Sequence, residues 1–239
     1  MKNMTSKSLV VGAGLLLAAS PSFAVTIQNV TFPEFGIHTF SGSASENIAP
    51  NVGDILTGSG RIALIDGNPL CSMPSTCDLT YTFGGFKVAV IEPPTTNPAT
   101  ALFTGGFVDF FVNGDTANPF LTTVADPLAS NSAYTLRGTL FDGTTDQARN
   151  TATEGLLSVT GGAAAQFLDT NGFINGLGGL SDLEFNASLS KISDAIFSGS
   201  VDATYRSAAD VPEPSELAVL GLGLVLVGSG VAYRRRSHG

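Results

Sequence analysis

Apolar and polar residues alternate with a period of two along the last third of the chain. From Leu183 to Leu189 the odd positions are apolar and the even positions are polar or acidic, and Phe197 to Tyr205 repeats this alternation. A period of two is typical of a β-strand with one buried face. The six-residue connection from Ser190 to Ala195 favours a hairpin between these two strands. The side chains predicted to point inward are Leu183, Phe185, Leu189, Phe197, Val201 and Tyr205.

The segment from Leu79 to Val90 changes parity in its middle. Its apolar residues are odd-numbered up to Phe83 and even-numbered from Phe86, and Gly84-Gly85 lies between the two halves. A paired strand cannot turn its buried face outward midway. The glycine pair is therefore predicted to form a β-bulge or a bend.

Other strand-like segments complete an all-β interpretation. They are Asp54 to Ile65, Leu102 to Val112 and Tyr134 to Leu140. Ala163 to Leu168 is compatible with a turn or a short helix, and the body contains no long amphipathic pattern. We expect a single antiparallel β-sandwich-like domain over residues 25–210.

The N-terminal residues 1–24 have the features of a secretory signal peptide. Lys2 and Lys7 precede an apolar run of 11 residues, Leu9 to Ala19, which is followed by Pro21 and by small residues at the −3 and −1 positions, Ser22 and Ala24. The run is much shorter than the roughly 20 residues that a membrane-spanning helix needs. Cleavage after Ala24 is predicted, which exports the body.

The C-terminal residues 211–239 combine three features in a fixed order. Pro212-Glu213-Pro214 precedes an uncharged run of 17 residues, Leu217 to Tyr233. The cluster Arg234, Arg235, Arg236 follows directly. As a helix the run would be about 26 Å long, near the lower limit for a single transmembrane segment. The arginines predict a cytoplasmic end and act as a membrane stop.

These three features resemble the PEP-CTERM sorting signal of Gram-negative bacteria. The resemblance implies recognition by exosortase, a membrane-embedded processing enzyme, removal of the helix, and delivery to the cell surface or exopolysaccharide matrix. It covers about 26 of the 239 residues and carries no activity for the body. A plain single-pass anchor, in which Pro212-Glu213-Pro214 is only a stiff linker, is the alternative.

The charge of the body excludes one class of partner. Without the five basic and two acidic residues of the two ends, residues 25–210 keep six basic and 18 acidic residues, a net charge of about −12. Such a surface repels phosphate backbones, so nucleic acid is not an expected partner. The expected partners are signal peptidase, exosortase, the membrane before processing, and exopolysaccharide.

Cys71 and Cys77 are the only two cysteines. In an exported protein this number and spacing predict a disulfide. Two thiolates alone do not make a metal site, since structural zinc takes four ligands.

Candidate catalytic groups are sparse in the body. His38 is its only histidine, so a Ser/His/Asp triad would require it, with Ser41 or a distant serine as the nucleophile. The sequence contains no Gly-x-Ser-x-Gly elbow. His38 lies in a strand-like run, which favours a structural histidine, and we assign no catalytic, cofactor-binding or metal-binding residue.

Acidic residues leave two further interpretations open. Many of them lie in turn sequences such as Asp66-Gly67-Asn68 and Asp142-Gly143-Thr144-Thr145-Asp146. Calcium accepts such oxygen ligands, although the spacing fits no EF-hand. The expected function is a non-catalytic surface or extracellular-matrix protein. The alternatives are a secreted glycan- or peptide-processing enzyme that uses carboxylates, and a lectin-like ligand-binding module.

Overall fold

The structure is a computed structural model, and it describes residues 24–33, 36–70, 77–92, 98–141 and 148–206. These residues form an almost entirely β-stranded body. In chain order the strands are β1 (Ala24–Ile27), β2 (Val30–Pro33), β3 (Ile37–Asn47), β4 (Ile55–Ile65), β5 (Asn68–Pro69), β6 (Leu79–Glu92), β7 (Ala99–Thr104), β8 (Phe107–Val112), β9 (Thr122–Asp126), β10 (Leu136–Phe141), β11 (Asn150–Gly161), β12 (Phe173–Ile174), β13 (Leu180–Ser181), β14 (Leu183–Lys191) and β15 (Ile196–Arg206). One helical turn, α1, spans Ala165–Leu168.

Eleven of the strands pair into one antiparallel sheet, and that sheet closes on itself. Its order is β5-β4-β3-β15-β14-β11-β10-β7-β6-β8, and β9 pairs with β11. An additional pairing joins β4 to β6, so that eight strands form a ring around one core. The predicted antiparallel all-β domain is confirmed. In place of two separately paired sheets, one continuous sheet encloses the core.

The two longest strands of the closed sheet, β6 and β11, each have a different neighbour along each half. The first half of β6 pairs with β8 and its second half pairs with β7. In the same way β11 pairs with β10 and then with β9. The side of the molecule between β6 and β11 is therefore built from short strands: β10 paired with β7 along one half, and β8 and β9 along the other. The opposite side is built from the four long strands β4, β3, β15 and β14.

Gly84 and Gly85 form the predicted bulge in β6. On one side of it Phe83 pairs with Gly58, and on the other side Phe86 pairs with Leu56. The strand β6 thus advances by three residues where β4 advances by two, which is the extra residue of a bulge. Gly85 has a φ of +72°, a conformation that other residues rarely adopt. The bulge keeps Phe83 and Phe86 both buried, as the parity change predicts.

The alternation in β14 and β15 is confirmed as well. The two strands form an antiparallel hairpin around the connection 192–195. All six side chains predicted to point inward are buried, with at most 6% of their surface exposed. The segment from Leu102 to Val112 is divided into β7 and β8, because Gly105 and Gly106 take positive φ values of +68° and +109° and turn the chain.

The core is built from large aromatic rings opposite very small residues. Tyr81 and Phe83 of β6 lie directly over Gly60 and Gly58, their partners in β4. The Tyr81 hydroxyl donates a hydrogen bond of 2.9 Å to the backbone oxygen of Ser43. A side chain at either glycine would occupy the space of these rings, so Gly58 and Gly60 are part of the packing.

Candidate functional site

The residues of the predicted sorting segment lie outside the described part of the chain. This holds for Pro212, Glu213 and Pro214, for the run 217–233 and for Arg234 to Arg236. Among the described residues no helix is long and apolar enough to cross a membrane. The signal peptide and the membrane-held precursor therefore stay predictions.

The predicted signal cleavage site borders the first strand. Ala24 opens β1, which pairs with β2 from Ala24 opposite Pro33 to Ile27 opposite Val30. Cleavage after Ala24 would leave Val25 paired with Phe32 and would keep three of the four pairs.

The predicted disulfide is described on one side only. Cys77 packs against the core just before β6. Cys71 lies outside the described residues, as does the turn 142–146 that was considered for calcium. The bond between Cys71 and Cys77 stays a prediction.

His38 has a structural environment. Its Nδ1 and the Asp66 Oδ2 are 2.5 Å apart, and its ring centroid lies 5.4 Å from that of Tyr205. The other Asp66 oxygen accepts the backbone N–H of Thr39 at 2.9 Å. Asp66 therefore closes the β4–β5 turn onto β3, as its turn sequence indicates. Ser41 and His38 are three residues apart in β3, so their side chains lie on opposite faces of the strand. The structure therefore does not bring them together as a nucleophile and its base.

A groove lies on the outer face of β10, β11 and β14. It has a volume of about 400 Å³, within the usual range of ligand sites. Its floor carries Arg137, Glu154 and Glu184. One wall is the segment 128–130, and the other is the start of the β12–β13 hairpin at Phe173.

Strand register brings the charged groups of this outer groove together. Arg137 is the cross-strand partner of Glu154, and their charged atoms are 2.7 Å apart. Glu154 is opposite Asn186, whose amide donates to Glu184 Oε1 at 3.1 Å. Each carboxylate thus has a partner and keeps acceptor capacity toward the groove. The two glutamates lie side by side on the floor, as diagonal neighbours on adjacent strands.

Two buried or half-buried aspartates hold the walls of the outer groove in place. Asp126 accepts hydrogen bonds from the hydroxyls of Ser158 and Ser181. Asp182 accepts the backbone N–H groups of Val159 and Asn171, each at 2.7 Å. Burial raises the pKa of Asp182, although these N–H groups act in the opposite direction. Both residues explain why the β12–β13 hairpin keeps a fixed position against β11.

A second polar feature lies inside the closed sheet. Glu46 of β3 points inward with 8% of its surface exposed, and burial raises its pKa to about 8. It borders two small cavities of about 20 and 10 Å³. Thr151 and Thr153 line the first of these, and the Thr151 hydroxyl has no hydrogen-bond partner within the described residues. A space of this size holds a water molecule and not an organic ligand.

Sequence reasoning did not single out these residues as a site. In the sequence, Arg137 and Glu184 are polar positions of alternating strands, and Glu46 stands out by no pattern. Their grouping depends on which strands pair, and alternation within one strand does not contain that information. Among the described residues, no group of three or more histidine, cysteine or acidic side chains is arranged to hold a metal ion. Compared with protein-family models, with curated proteins and with solved structures, the chain has no match in any of the three.

Proposed function

We propose that this chain is an exported, non-catalytic protein of the cell surface or extracellular matrix of a Gram-negative bacterium. It is made as a precursor held in the inner membrane and is then processed by exosortase. The observation that carries the proposal is the ordered C-terminal segment: Pro212-Glu213-Pro214, the uncharged run 217–233 and three arginines. Export by the N-terminal signal and a cytoplasmic arginine cluster require the same topology.

The architecture of the body supports the non-catalytic part of this proposal. Inside the closed sheet, the two cavities that border Glu46 measure about 20 Å³ and 10 Å³, too small for an organic ligand. On the outer groove, Glu154 and Glu184 lie side by side on one floor. Glu154 is paired with Arg137, and Glu184 accepts a hydrogen bond from Asn186, so both carboxylates are engaged in a polar binding floor.

The experiment is replacement of Pro212-Glu213-Pro214 by three alanines in the natural host. If exosortase processes the chain, the wild-type mature protein ends near these residues and is recovered from the surface or matrix fraction. The variant then accumulates as a full-length precursor in the membrane fraction. The double variant Ser215→Ala, Glu216→Ala keeps the motif and serves as the control that still matures.

A plain anchor gives a different result. The wild type would then stay in the membrane fraction with Arg234 to Arg236 intact, and the alanine variant would be indistinguishable from it. C-terminal peptides recovered intact from surface material as the main species would overturn processing.

The outer groove favours a second candidate function, which is binding of exopolysaccharide. Its floor presents the Arg137–Glu154 ion pair and the Glu184–Asn186 hydrogen bond beside the apolar side chains of its walls. Carboxylate, amide and guanidinium groups are donors and acceptors suited to sugar hydroxyls. The double variant Arg137→Ala, Glu154→Ala would lose retention on the host's purified exopolysaccharide. Arg61→Ala, which removes another exposed ion pair, that with Asp78, would retain it.

A further inference from the structure

The tip of the β12–β13 hairpin is exposed, apolar and uncharged. Ile174, Leu177 and Leu180 expose 69%, 75% and 50% of their surfaces. The eleven residues from 171 to 181 contain no charged side chain, although the body as a whole is strongly acidic. We call these three side chains the apolar tip.

The apolar tip is held on a rigid turn. The side-chain oxygen of Asn175 accepts the backbone N–H groups of Leu177 and Gly179, each at 3.0 Å. Gly176 donates its N–H to the backbone oxygen of Pro127 at 2.9 Å. A Cβ atom at Gly176 would lie 2.1 Å from the backbone oxygen of Leu128, so the turn packs closely against the segment 127–132. The apolar tip is therefore presented in a fixed direction.

The chain leaves the described body beside this hairpin. Arg206 is the last residue of β15, and its guanidinium carbon lies 4.8 Å from the centre of the Phe173 ring at the base of the hairpin. Ten residues, 207–216, separate Arg206 from the uncharged run 217–233. Such a linker reaches at most about 36 Å. From Phe173 to Leu177 in the turn the chain spans at most about 14 Å.

We propose that the apolar tip rests in the head-group region of the lipid bilayer in which the run 217–233 is anchored. The contact orients the body on the membrane surface of the precursor. This inference rests on the proposed function, because it requires the C-terminal segment to be a membrane anchor. Three side chains bind lipid weakly by themselves, but the tether supplies a high effective concentration, and the turn that carries them is already held by hydrogen bonds.

The point at which the chain leaves the body, Arg206, favours this end of the molecule as the one that contacts the bilayer. The opposite end also exposes apolar side chains, among them Ile192 with 65% of its surface exposed. That end lies one length of β15 away, about 33 Å for its ten residue steps. The charged residues Lys191 and Asp194 flank Ile192 there. A linker would have to be almost fully extended to bring that end to the same bilayer, and its charges disfavour the contact further.

The chain contains no tryptophan, which gives a direct test. The full-length variants Leu177→Trp and Ile192→Trp are each reconstituted into phosphatidylcholine vesicles, with and without brominated acyl chains. We expect a blue-shifted emission for Leu177→Trp that brominated lipid quenches. The emission of Ile192→Trp should stay that of an exposed indole, with no lipid quenching. Leu180→Trp provides a second reporter at the apolar tip.

The outcomes separate this inference from the proposed function. If the chain floats with the vesicles but tip and control tryptophans are equally accessible to an aqueous quencher, the membrane contact is wrong and the anchor stands. If the chain does not float with the vesicles, both the anchor and the contact are wrong. A blue shift that grows with protein concentration and is not quenched by brominated lipid would assign the apolar tip to contact between two copies. That result would overturn lipid binding.

Discussion

At the scale of single residues, Glu46 is an acidic side chain buried in the core, where its charged form is unfavourable. Its carboxyl lies inside the closed sheet, and its pKa is raised from 4.5 to about 8 by desolvation. The same carboxyl contributes, after burial itself, to a raised pKa of Tyr81. Glu46 is therefore uncharged in the folded protein at neutral pH. In the unfolded chain it ionises near its ordinary pKa.

This difference predicts the pH dependence of stability. Below pH 4.5 Glu46 is protonated in both states and has no effect. As the pH rises from 4.5 to about 8, only the unfolded state loses the proton, and the free energy of unfolding falls. Above pH 8 the full pKa difference lowers the free energy of unfolding by up to about 5 kcal/mol. Glu46→Gln should remove the fall and be the more stable protein at pH 8.5.

Urea unfolding at pH 5 and pH 8.5 measures this effect. Glu92→Gln, at the exposed end of β6, is the matched control and should keep the wild-type pH dependence. Equal losses of stability in wild type and Glu46→Gln between the two pH values would show that Glu46 is not the group responsible.

At the scale of elements, the inner face of β4 depends on the absence of side chains. A Cβ atom at Gly60 would lie 2.0 Å from the backbone oxygen of Ser43 and 2.3 Å from the Tyr81 hydroxyl. Gly60→Ala would displace the ring and break the Tyr81–Ser43 hydrogen bond. We expect a loss of about 1–3 kcal/mol in the free energy of unfolding.

Gly138→Ala is the control for this prediction. Gly138 lines the cavity beside Glu46, and a Cβ atom there would meet nothing closer than 3.6 Å. The methyl group fits in ordinary van der Waals contact, so this variant should match the wild type in urea unfolding. If both alanine variants lost the same stability, the close approach of Tyr81 to β4 would not be the cause.

The loop before β6 provides a second prediction at this scale. A bond between Cys71 and Cys77 closes a short loop, for which chain entropy gives about 2–2.5 kcal/mol. It would therefore fix the start of β6 more than it stabilises the whole fold. Mass spectrometry of the mature protein without reductant should find the peptide that links both cysteines two hydrogens lighter than its reduced form. Alkylation of both thiols in the non-reduced protein would contradict the bond.

At the scale of the whole molecule, the proposed topology depends on the arginine cluster. Changing Arg234, Arg235 and Arg236 to glutamate removes the positive charge that keeps this end in the cytoplasm. We expect weaker retention of the precursor and a loss of processing, measured as the fraction of mature protein at the surface. The triple lysine variant keeps the charge and should mature normally. Normal maturation of the glutamate variant would contradict the role of the arginines as a membrane stop.

The sequence by itself determined several of the strands and the buried faces of β6, β14 and β15, whereas strands such as β9 and β11 were not predicted. Alternation in a strand depends only on neighbouring residues, which is why the inward residues Leu183, Phe185 and Tyr205 could be named in advance. The bulge at Gly84-Gly85 followed from the same rule, since a change of parity needs one extra residue. The signal peptide and the C-terminal sorting segment were also predicted from the local order of residues, and both stay predictions.

Only the tertiary structure decided which strands are neighbours. The pairing of β4 with β6 turns an open sheet into a closed one, and no local pattern specifies partners distant in sequence. The same pairing choices place Arg137, Glu154 and Glu184 on one groove floor. The residues before Glu46 include three serines and few apolar side chains, so the sequence does not indicate which face of β3 is buried. Pairing with β15 and β4 decides that Glu46 points inward. Long-range register, which depends on the packing of the whole core, therefore determined the candidate sites.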